Sequence, residues 1–370
     1  MPRLEPATAS ARHTAPPPGL ISLADHEAHA RSVLDPATWA YINGGAGDGF
    51  TLRANRDAWD AVALHPRVLA PLAGLETRTT LLGKACPSPI LVAPMARHGL
   101  AHPDGELATA LAASALGAGF VLGTQSGRPL EEVAKAFAPG GERGPLWFQL
   151  YGFGDRDGMR ELVARASAAG YEAVMLTVDA PVQGVRDDER RAGFAPPPGL
   201  PMPHLPPQAA AGLADLLARA PTWDDVAWLL AHSPLPVLLK GITHPDDARL
   251  AVELGVAGLV VSNHGGRVLD TMPATATLLP AVASAVAGRC AVLVDGGVRR
   301  GTDIVKAIAL GADAVLVGRP ILHGLANAGA AGAAHVLRLL GDEFSAAMAL
   351  CGRRRVADLR DPALVGRPAP

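Results

Sequence analysis

The 370-residue sequence has few cysteines, few aromatic residues and little net charge, and it has no long apolar run. Its cysteines, Cys86, Cys290 and Cys351, are odd in number and far apart, which argues against a disulfide framework and favours a reducing compartment. No unbroken apolar run reaches ~20 residues, so no membrane span is predicted. A net charge of −2 gives no electrostatic reason to bind nucleic acid or an anionic membrane. We therefore expect a cytoplasmic protein without nucleic-acid or membrane partners.

The hydrophobic residues are mostly small and aliphatic, because they make up 49% of the chain while aromatics make up 4%. Parallel strands buried on both faces have this composition. Eight short apolar runs, each closed by polar or glycine residues, lie at 90–94, 120–124, 146–150, 173–179, 236–240, 258–263, 291–295 and 314–318. Helical spacing of apolar residues occurs between them, at 105–116, 157–169, 245–254 and 302–310. This alternation predicts an α/β fold of the (β/α)8 TIM-barrel type. A doubly wound open sheet is the alternative, which the lack of Gly-x-Gly-x-x-Gly after the first strand disfavours.

Segments outside the barrel are predicted at both ends and after the fourth strand. Residues 1–20 form an N-terminal tail, residues 21–360 a single cofactor-binding domain and residues 361–370 a C-terminal tail. The domain begins with a helical extension, including a helix at about 23–34. An insertion at about 187–233 contains seven prolines between 195 and 207. Since it leaves the carboxyl end of a strand, where barrel active sites lie, we expect a lid, with a disordered spacer as the alternative.

Charged and polar residues recur where the predicted strands end, which is the edge at which barrel enzymes build their sites. Chance does not readily place charge at four successive strand ends, and buried charges need partners or a ligand. After the last two strands, Gly296, Gly297 and Gly318 allow backbone N–H groups to approach an anion. Arg299 and Arg319 can donate to its oxygens, so this region predicts a phosphate site.

The remaining strand ends predict chemistry at a carbon atom beside a carboxylate. His264 with Asp179 has the composition of a base and the group that orients it. Arg186 and Arg267 can clamp a carboxylate through paired N–H groups, and Lys240 can stabilise developing negative charge. No histidines have metal-ligand spacing, so no metal site is predicted.

These motifs resemble those of the FMN-dependent 2-hydroxy acid oxidases and dehydrogenases, a family that includes glycolate oxidase, lactate oxidase, lactate monooxygenase and mandelate dehydrogenase. The resemblance runs from about residue 23 to about residue 359. It rests on 41–48 (YINGGAGD), 55–56 (NR), 64–67 (LHPR), 93–96 (APMA), 102–103 (HP), 149–151 (QLY), 177–179 (TVD), 240–241 (KG), 262–267 (SNHGGR), 295–301 (DGGVRRG) and 318–320 (GRP).

The resemblance implies FMN as cofactor, a small L-2-hydroxy acid as substrate, and oxygen as the electron acceptor that yields hydrogen peroxide, or another acceptor in its place. It makes His264 the base and Asp179 its partner, with the substrate carboxylate held by Arg186, Arg267 and the hydroxyls of Tyr41 and Tyr151. Lys240 is placed at the N1 and O2 edge of the flavin. The other implied FMN contacts are Pro94, Met95, Ala96, Gln149, Thr177, Ser262, Asp295, Gly297, Arg299, Gly318 and Arg319. The family commonly forms homotetramers.

Two positions depart from the family pattern. Gly123 stands where serine is usual, and the neighbouring Thr124 is the candidate to replace its hydrogen bond to the flavin. Gln125 stands where several members have an aromatic residue, so no substrate preference is carried over. Two other functions remain open: a non-redox flavoprotein such as an isoprenoid diphosphate isomerase, and a catalytically inactive flavin-binding module. The arginine pair argues against the first, and the complete set of catalytic residues against the second.

Overall fold

The eight predicted strands form one closed parallel barrel. The computed structural model describes residues 15–137, 142–152, 155–205 and 212–366. Its barrel strands are β1 (Ile90–Val92), β2 (Gly119–Gly123), β3 (Leu146–Tyr151), β4 (Ala173–Thr177), β5 (Val237–Ile242), β6 (Gly258–Val261), β7 (Ala291–Val294) and β8 (Ala314–Val317). Each strand pairs with the next along the chain, and β8 pairs with β1 to close the barrel. The (β/α)8 prediction is therefore confirmed, and the open sheet is excluded.

Both faces of the barrel strands are buried, which explains why the strands appear in the sequence as continuous apolar runs. Alternate residues fill the barrel interior: Leu91, Val121, Trp147, Met175, Leu238, Val260, Leu293 and Leu316. Their neighbours pack outward against the helices: Val92, Leu122, Phe148, Leu176, Leu239, Val261, Val294 and Val317. A short antiparallel pair, Thr79–Leu81 with Lys84–Cys86, precedes β1 and adds Leu81 and Cys86 to the interior cluster.

Thirteen helices lie within the described residues. They are α1 (Leu23–Val33), α2 (Pro36–Asn43), α3 (Phe50–Ala61), α4 (Gly105–Ala115), α5 (Leu130–Ala136), α6 (Arg156–Ala168), α7 (Asp187–Arg191), α8 (Leu213–Ala218), α9 (Trp223–His232), α10 (Pro245–Glu253), α11 (Thr275–Val286), α12 (Gly301–Ala309) and α13 (Arg319–Leu350). The extension before the barrel is helical, as expected, and comprises α1 to α3. Helix α2 begins sharply because Asp35 caps the N–H groups of Ala37 and Thr38, and this start positions Tyr41.

The insertion after β4 is shorter than the sequence predicted. Helix α9 falls within the predicted bounds of 187–233, but its Val226 and Leu229 are buried in the core between the barrel strands and the helices. Helix α9 is therefore the barrel helix that leads into β5. Its polar first turn and the proline-rich stretch before it conceal this role in the sequence.

The folded part of the chain extends beyond the predicted boundaries of both terminal tails. Residues 1–14 of the N-terminal tail lie outside the described residues, while Leu20 is buried. At the other end, Val365–Gly366 pairs with Ala63–Leu64 and Leu364 is buried, so the folded part extends beyond the predicted boundary at 360. A strand of two residues has no detectable periodicity, which explains the error.

Candidate active site

Polar side chains from neighbouring strands meet at the carboxyl end of the barrel. Tyr151, Thr177 and Lys240 are in register on β3, β4 and β5, and Gln149 is in register with Gly123 on β2. Gln149 Nε2 donates to Thr177 Oγ1 over 2.9 Å, and its Oε1 accepts from the backbone N–H of Thr124 over 3.1 Å. Thr124 Oγ1 donates to the Gln149 carbonyl over 2.6 Å. Three strand ends are therefore tied together by predicted cofactor residues.

His264 and Asp179 meet, as the sequence predicted. His264 Nδ1 lies 3.0 Å from Asp179 Oδ1. His264 has a φ of 56°, a left-handed conformation that is costly for a residue with a Cβ and is often found at functional sites. Its backbone N–H is held by Ser262 Oγ over 3.1 Å. The loop after β6 is therefore shaped to present this imidazole to the mouth.

The protonation states of this pair suit proton transfer. Burial, reinforced by Lys240, lowers the pKa of His264, although Asp179 opposes the shift. Burial acts to raise the pKa of Asp179, but His264 and Lys240 outweigh it and hold that pKa below its usual value. At neutral pH the pair is therefore a neutral imidazole beside a carboxylate. A proton taken up by the imidazole would be stabilised by this neighbour.

Lys240 is a buried ammonium group at the centre of the mouth. Its Nζ donates to Ser262 Oγ over 3.0 Å and lies 3.4 Å from Asp295 Oδ2. Burial acts to lower the pKa of Lys240, but Asp295 and Asp179 raise it above the ordinary value, so the charge is retained. Gly241 follows at a φ of 109°, and a Cβ there would overlap the Asp179 side chain. This glycine lets Lys240 and Asp179 occupy the same site.

Arg186 and Arg267 lie together, and they share a carboxylate that the sequence analysis missed. Glu189 Oε1 accepts from Arg186 Nη1 over 2.9 Å and from Arg267 Nη2 over 3.2 Å. Glu189 is buried on the short helix α7. Two guanidinium groups with one carboxylate leave a net charge of +1, which suits a monoanionic ligand. The three-residue spacing of Arg186 and Glu189 was the available signal.

Tyr41 joins α2 to this pair. Arg267 Nη1 donates to the carbonyls of Tyr41 over 2.7 Å and of Gly44 over 3.0 Å, so it also closes the carboxyl end of α2. The Tyr41 ring stacks on Phe194 with a centroid separation of 4.4 Å. Burial raises the pKa of Tyr151, which keeps that phenol protonated. Both predicted substrate tyrosines are therefore placed at the mouth.

The loops after β7 and β8 are organised by α3. Arg56 Nη1 donates to the Gly297 carbonyl over 2.6 Å and pairs with Asp303. Asp303 Oδ2 accepts the backbone N–H groups of Arg299 over 2.9 Å and of Arg300 over 3.0 Å. Gly297 has a φ of 82°, and a Cβ there would overlap the Asn55 backbone. The loop is therefore held against α3 by Arg56 and Asp303, neither of which received a role in the sequence analysis.

The two arginines of the predicted phosphate site have different surroundings. Arg299 Nε lies 3.9 Å from Glu27 Oε2, and Arg299 Nη1 donates to the Val298 carbonyl over 3.3 Å. Arg319 is more fully engaged, because it donates to the carbonyls of Ile42, Gly44 and Gly265. Arg319 thus joins α2 to the His264 loop, a structural task that the sequence did not indicate.

Within 15–137, 142–152, 155–205 and 212–366, no group of three or more His, Cys, Asp or Glu side chains could hold a metal ion. In the same ranges no helix is both long and apolar enough to cross a membrane.

Comparison with known proteins identifies the family. Residues 30–366 match the family model described as FMN-dependent dehydrogenase. The chain is 47% identical over 357 residues to an L-lactate oxidase of Roseobacter sp. (strain GAI101), covering 94% of this chain and 95% of that one. It is 43% identical over 354 residues to 2-Hydroxyacid oxidase 1 of Mus musculus, covering 92% and 95%. A crystal structure of mandelate oxidase with (S)-2-phenylpropionate superposes with a TM-score of 0.86 at 42% identity, covering 94% and 98%.

The chain belongs to the FMN-dependent dehydrogenase family. The site of this FMN-dependent dehydrogenase fits its cofactor, because two buried polar atoms at the mouth have no hydrogen-bond partner among the described residues. Asp295 Oδ1 and Asp179 Oδ2 are such atoms. Asp295 stands before Gly296 and Gly297, whose positive φ angles leave room for a close approach. The cationic Lys240, between these two carboxylates, matches the electron-rich edge of a flavin. The residues that would hold FMN are therefore those at the ends of β1 to β8.

Proposed function

We propose that this enzyme oxidises a small L-2-hydroxy acid to the corresponding 2-oxo acid, with His264 as the base. The observation that carries the proposal is the convergence at one mouth of the His264–Asp179 pair and the Arg186–Glu189–Arg267 cluster. The printed names of its relatives, L-lactate oxidase and 2-Hydroxyacid oxidase 1, support the substrate class.

Substrate binding is assigned to the cationic cluster. Arg186 and Arg267 carry one charge more than Glu189 neutralises, so the substrate carboxylate completes the charge balance. Tyr41 and Tyr151 add hydroxyl groups beside this cluster. A carboxylate fixed by two guanidinium groups has its neighbouring carbon atom held in one orientation, which is the condition for efficient transfer of hydrogen.

Proton transfer is assigned to His264. Its Nδ1 faces Asp179, so Nε2 is the nitrogen available to accept a proton from the substrate hydroxyl or α-carbon. The imidazolium that results is stabilised by the Asp179 carboxylate. The substrate loses two hydrogens, of which His264 takes one as a proton, and bound FMN would take up the two electrons together with the other hydrogen. Lys240 keeps a positive charge beside Asp295 and Ser262, where it stabilises negative charge that develops nearby.

We assign a covering role to the segment between α7 and α8. Phe194 stacks on Tyr41, and His204 is buried, with Nε2 accepting the Leu130 N–H over 2.9 Å. His204 Nδ1 lies 3.3 Å from the Thr124 carbonyl. These anchors support the lid predicted from sequence, which would exclude water from the substrate. Residues 206–211, which include two of the seven prolines, lie outside the described residues.

The test uses the purified FMN-bound protein and a panel of 2-hydroxy acids of both enantiomers without oxygen. Bleaching of the flavin absorbance by L-enantiomers only is the expected result. An unbleached flavin with every acid would contradict the function. Exposure to air should then restore the absorbance and release one hydrogen peroxide per turnover if oxygen is the acceptor. If only an artificial acceptor restores the absorbance, the expectation that oxygen is the electron acceptor is wrong, while the proposed oxidation of the 2-hydroxy acid still stands.

A further inference from the structure

Arg97 is a mouth residue to which neither the family resemblance nor the proposed chemistry gives a task. It follows the predicted cofactor residues Pro94, Met95 and Ala96, and it adopts a left-handed conformation with a φ of 55°. Its backbone N–H donates to the Gln125 carbonyl over 3.1 Å, which ties the end of β1 to the end of β2. Such a conformation is costly for any residue with a Cβ and indicates that the surrounding structure holds Arg97 there.

The Arg97 side chain lies among groups that do not neutralise it. Its Cζ is 5.9 Å from the centroid of the Tyr41 ring, and Nη2 lies 3.8 Å from Met202 Sδ in the covering segment. Its Nε is buried and has no hydrogen-bond partner in the part of the chain that the structure describes. A guanidinium is always protonated in proteins, so the half-buried Arg97 carries a positive charge beside Tyr41. Its side-chain neighbours in the described part of the chain are this aromatic ring and the Met202 thioether.

Charge compensation sets Arg97 apart from the other cations of the mouth. Arg186 and Arg267 share Glu189, Lys240 has Asp295, and Arg319 donates to three backbone carbonyls. Among the described residues, no carboxylate lies within ion-pair distance of Arg97. A substrate with one carboxylate would balance the Glu189 cluster and leave Arg97 uncompensated. Because Arg97 is half-buried and its Nε lacks an acceptor, a second anion at this place would gain both a counter-charge and a hydrogen bond.

We infer that Arg97 is a specificity residue and that the enzyme prefers 2-hydroxy acids bearing a second carboxylate at the far end of the side chain. The first carboxylate binds the Arg186–Glu189–Arg267 cluster, and the second binds Arg97. Gln125, at a position where several family members have an aromatic residue, is a neighbour of Arg97 through its carbonyl, so a polar residue type adjoins the proposed second binding point. This inference rests on the proposed oxidation of 2-hydroxy acids and specifies which of them are favoured.

The experiment compares paired substrates of similar length in the FMN-bound enzyme. L-Malate and L-2-hydroxyglutarate are the dicarboxylate probes, and L-lactate and L-2-hydroxybutyrate are the monocarboxylate probes. Apparent second-order rate constants for anaerobic flavin bleaching give kcat/KM for the reductive half-reaction. Calorimetric titration with 2-oxoglutarate and 2-oxobutyrate measures binding of the product class without turnover.

The variants are Arg97→Met, Arg97→Lys and, as a matched control, Arg249→Met, which removes an exposed arginine on α10. Arg97→Met should lower kcat/KM for the dicarboxylates about tenfold to a hundredfold, which is the range expected for a charge-assisted hydrogen bond. It should leave kcat/KM for the monocarboxylates little changed. Arg97→Lys should restore part of the loss because it restores the charge. Binding of 2-oxoglutarate should weaken in parallel.

Two results would overturn the inference. The first is a wild-type enzyme that shows no preference for dicarboxylates and a substrate ratio that Arg97→Met leaves unchanged. The second is an equal loss for both substrate classes, which would mean that Arg97 acts only on Tyr41 and the covering segment. In either case bleaching by L-lactate would leave the proposed function standing, whereas a flavin that no 2-hydroxy acid bleaches would remove both proposals.

Discussion

The Asp179 carboxylate lies 3.0 Å from Nδ1 of His264, and this contact joins the loop after β4 to the loop after β6. Burial and the charge on Lys240 lower the pKa of His264, while Asp179, and after it Asp295, act to raise it. The carboxylate therefore has two effects on the imidazole. It fixes which nitrogen is left for the proposed contact with substrate, and it raises the basicity that the proposed role as base requires.

Replacing Asp179 with asparagine tests both effects. In Asp179→Asn the rate of flavin bleaching should fall by about a hundredfold, since the imidazolium loses its counter-charge. The pKa of His264 should fall further, because a contribution that raises it is removed. The acid limb of the pH–rate profile should therefore move to lower pH. Stopped-flow measurements from pH 5 to pH 8 would show this, with exposed Asp224→Asn as the control. An acid limb that moved upward would contradict the assignment.

The two arginines of the substrate cluster should differ in what their loss does to the fold. Arg267 donates to carbonyls at the end of α2, whereas Arg186 donates to Glu189 and to the Arg267 carbonyl. Arg186→Met and Arg267→Met should both strongly raise the KM for the 2-hydroxy acid substrate. Only Arg267→Met should also lower the free energy of unfolding markedly, by about 3 kcal/mol, because it leaves helix-end carbonyls without donors. Thermal unfolding beside steady-state kinetics would separate the two, and equal stability losses would argue against this division.

Asp303 is expected to control FMN affinity although it lies on α12. Its carboxylate holds the backbone N–H groups of Arg299 and Arg300, and it pairs with Arg56. Asp303→Asn should loosen the loop after β7, lower the free energy of unfolding by about 2 kcal/mol and weaken FMN binding. Quenching of flavin fluorescence on titration of the FMN-free protein measures the affinity. Asp157, which forms an exposed ion pair with Arg160, provides the control. Asp157→Asn should change neither the free energy of unfolding nor the FMN affinity. Unchanged FMN affinity in Asp303→Asn would contradict the role.

His204 is expected to fasten the covering segment only in its neutral form. Nε2 accepts the Leu130 N–H, so this nitrogen cannot carry a proton, and burial lowers the pKa of His204 below its usual value. Above the ordinary pKa of about 6.5 the anchor is complete, and its contribution is lost as the pH falls below that value because the undocked imidazole takes up a proton first. His204→Ala should therefore speed cleavage of the segment in limited proteolysis at pH 8. Acidification should speed cleavage of the wild type but not of the variant, and equal acceleration of both would refute the anchor.

The barrel was predictable from the sequence because its strands are buried on both faces. Each strand is therefore a short apolar run, such as 236–239, that ends at a polar residue, here Lys240. The contact between His264 and Asp179 was predictable because parallel strands bring their carboxyl ends to one edge. His264 and Asp179, 85 positions apart, need only that rule to meet. Recognition of the FMN-dependent family came from motifs at the same edge and is confirmed by the comparisons.

The residues that were missed act through tertiary contacts that no local pattern records. Glu189 looks like a surface acid on a charged helix, yet it is buried between two arginines. Asp303 resembles an ordinary first-turn acid, and its partner Arg56 lies 247 positions away. The uncompensated charge of Arg97 becomes visible only when every neighbouring carboxylate has been assigned. The cytoplasmic location and the homotetrameric assembly stay predictions.

The role of His264 as the base is the central claim, and one measurement tests it most directly. His264→Asn should bind FMN as the wild type does, as shown by its visible spectrum and flavin content. Mixed anaerobically with an L-2-hydroxy acid that bleaches the wild-type flavin, it should bleach at least about a thousandfold more slowly. Bleaching of FMN-loaded His264→Asn at close to the wild-type rate would contradict the account.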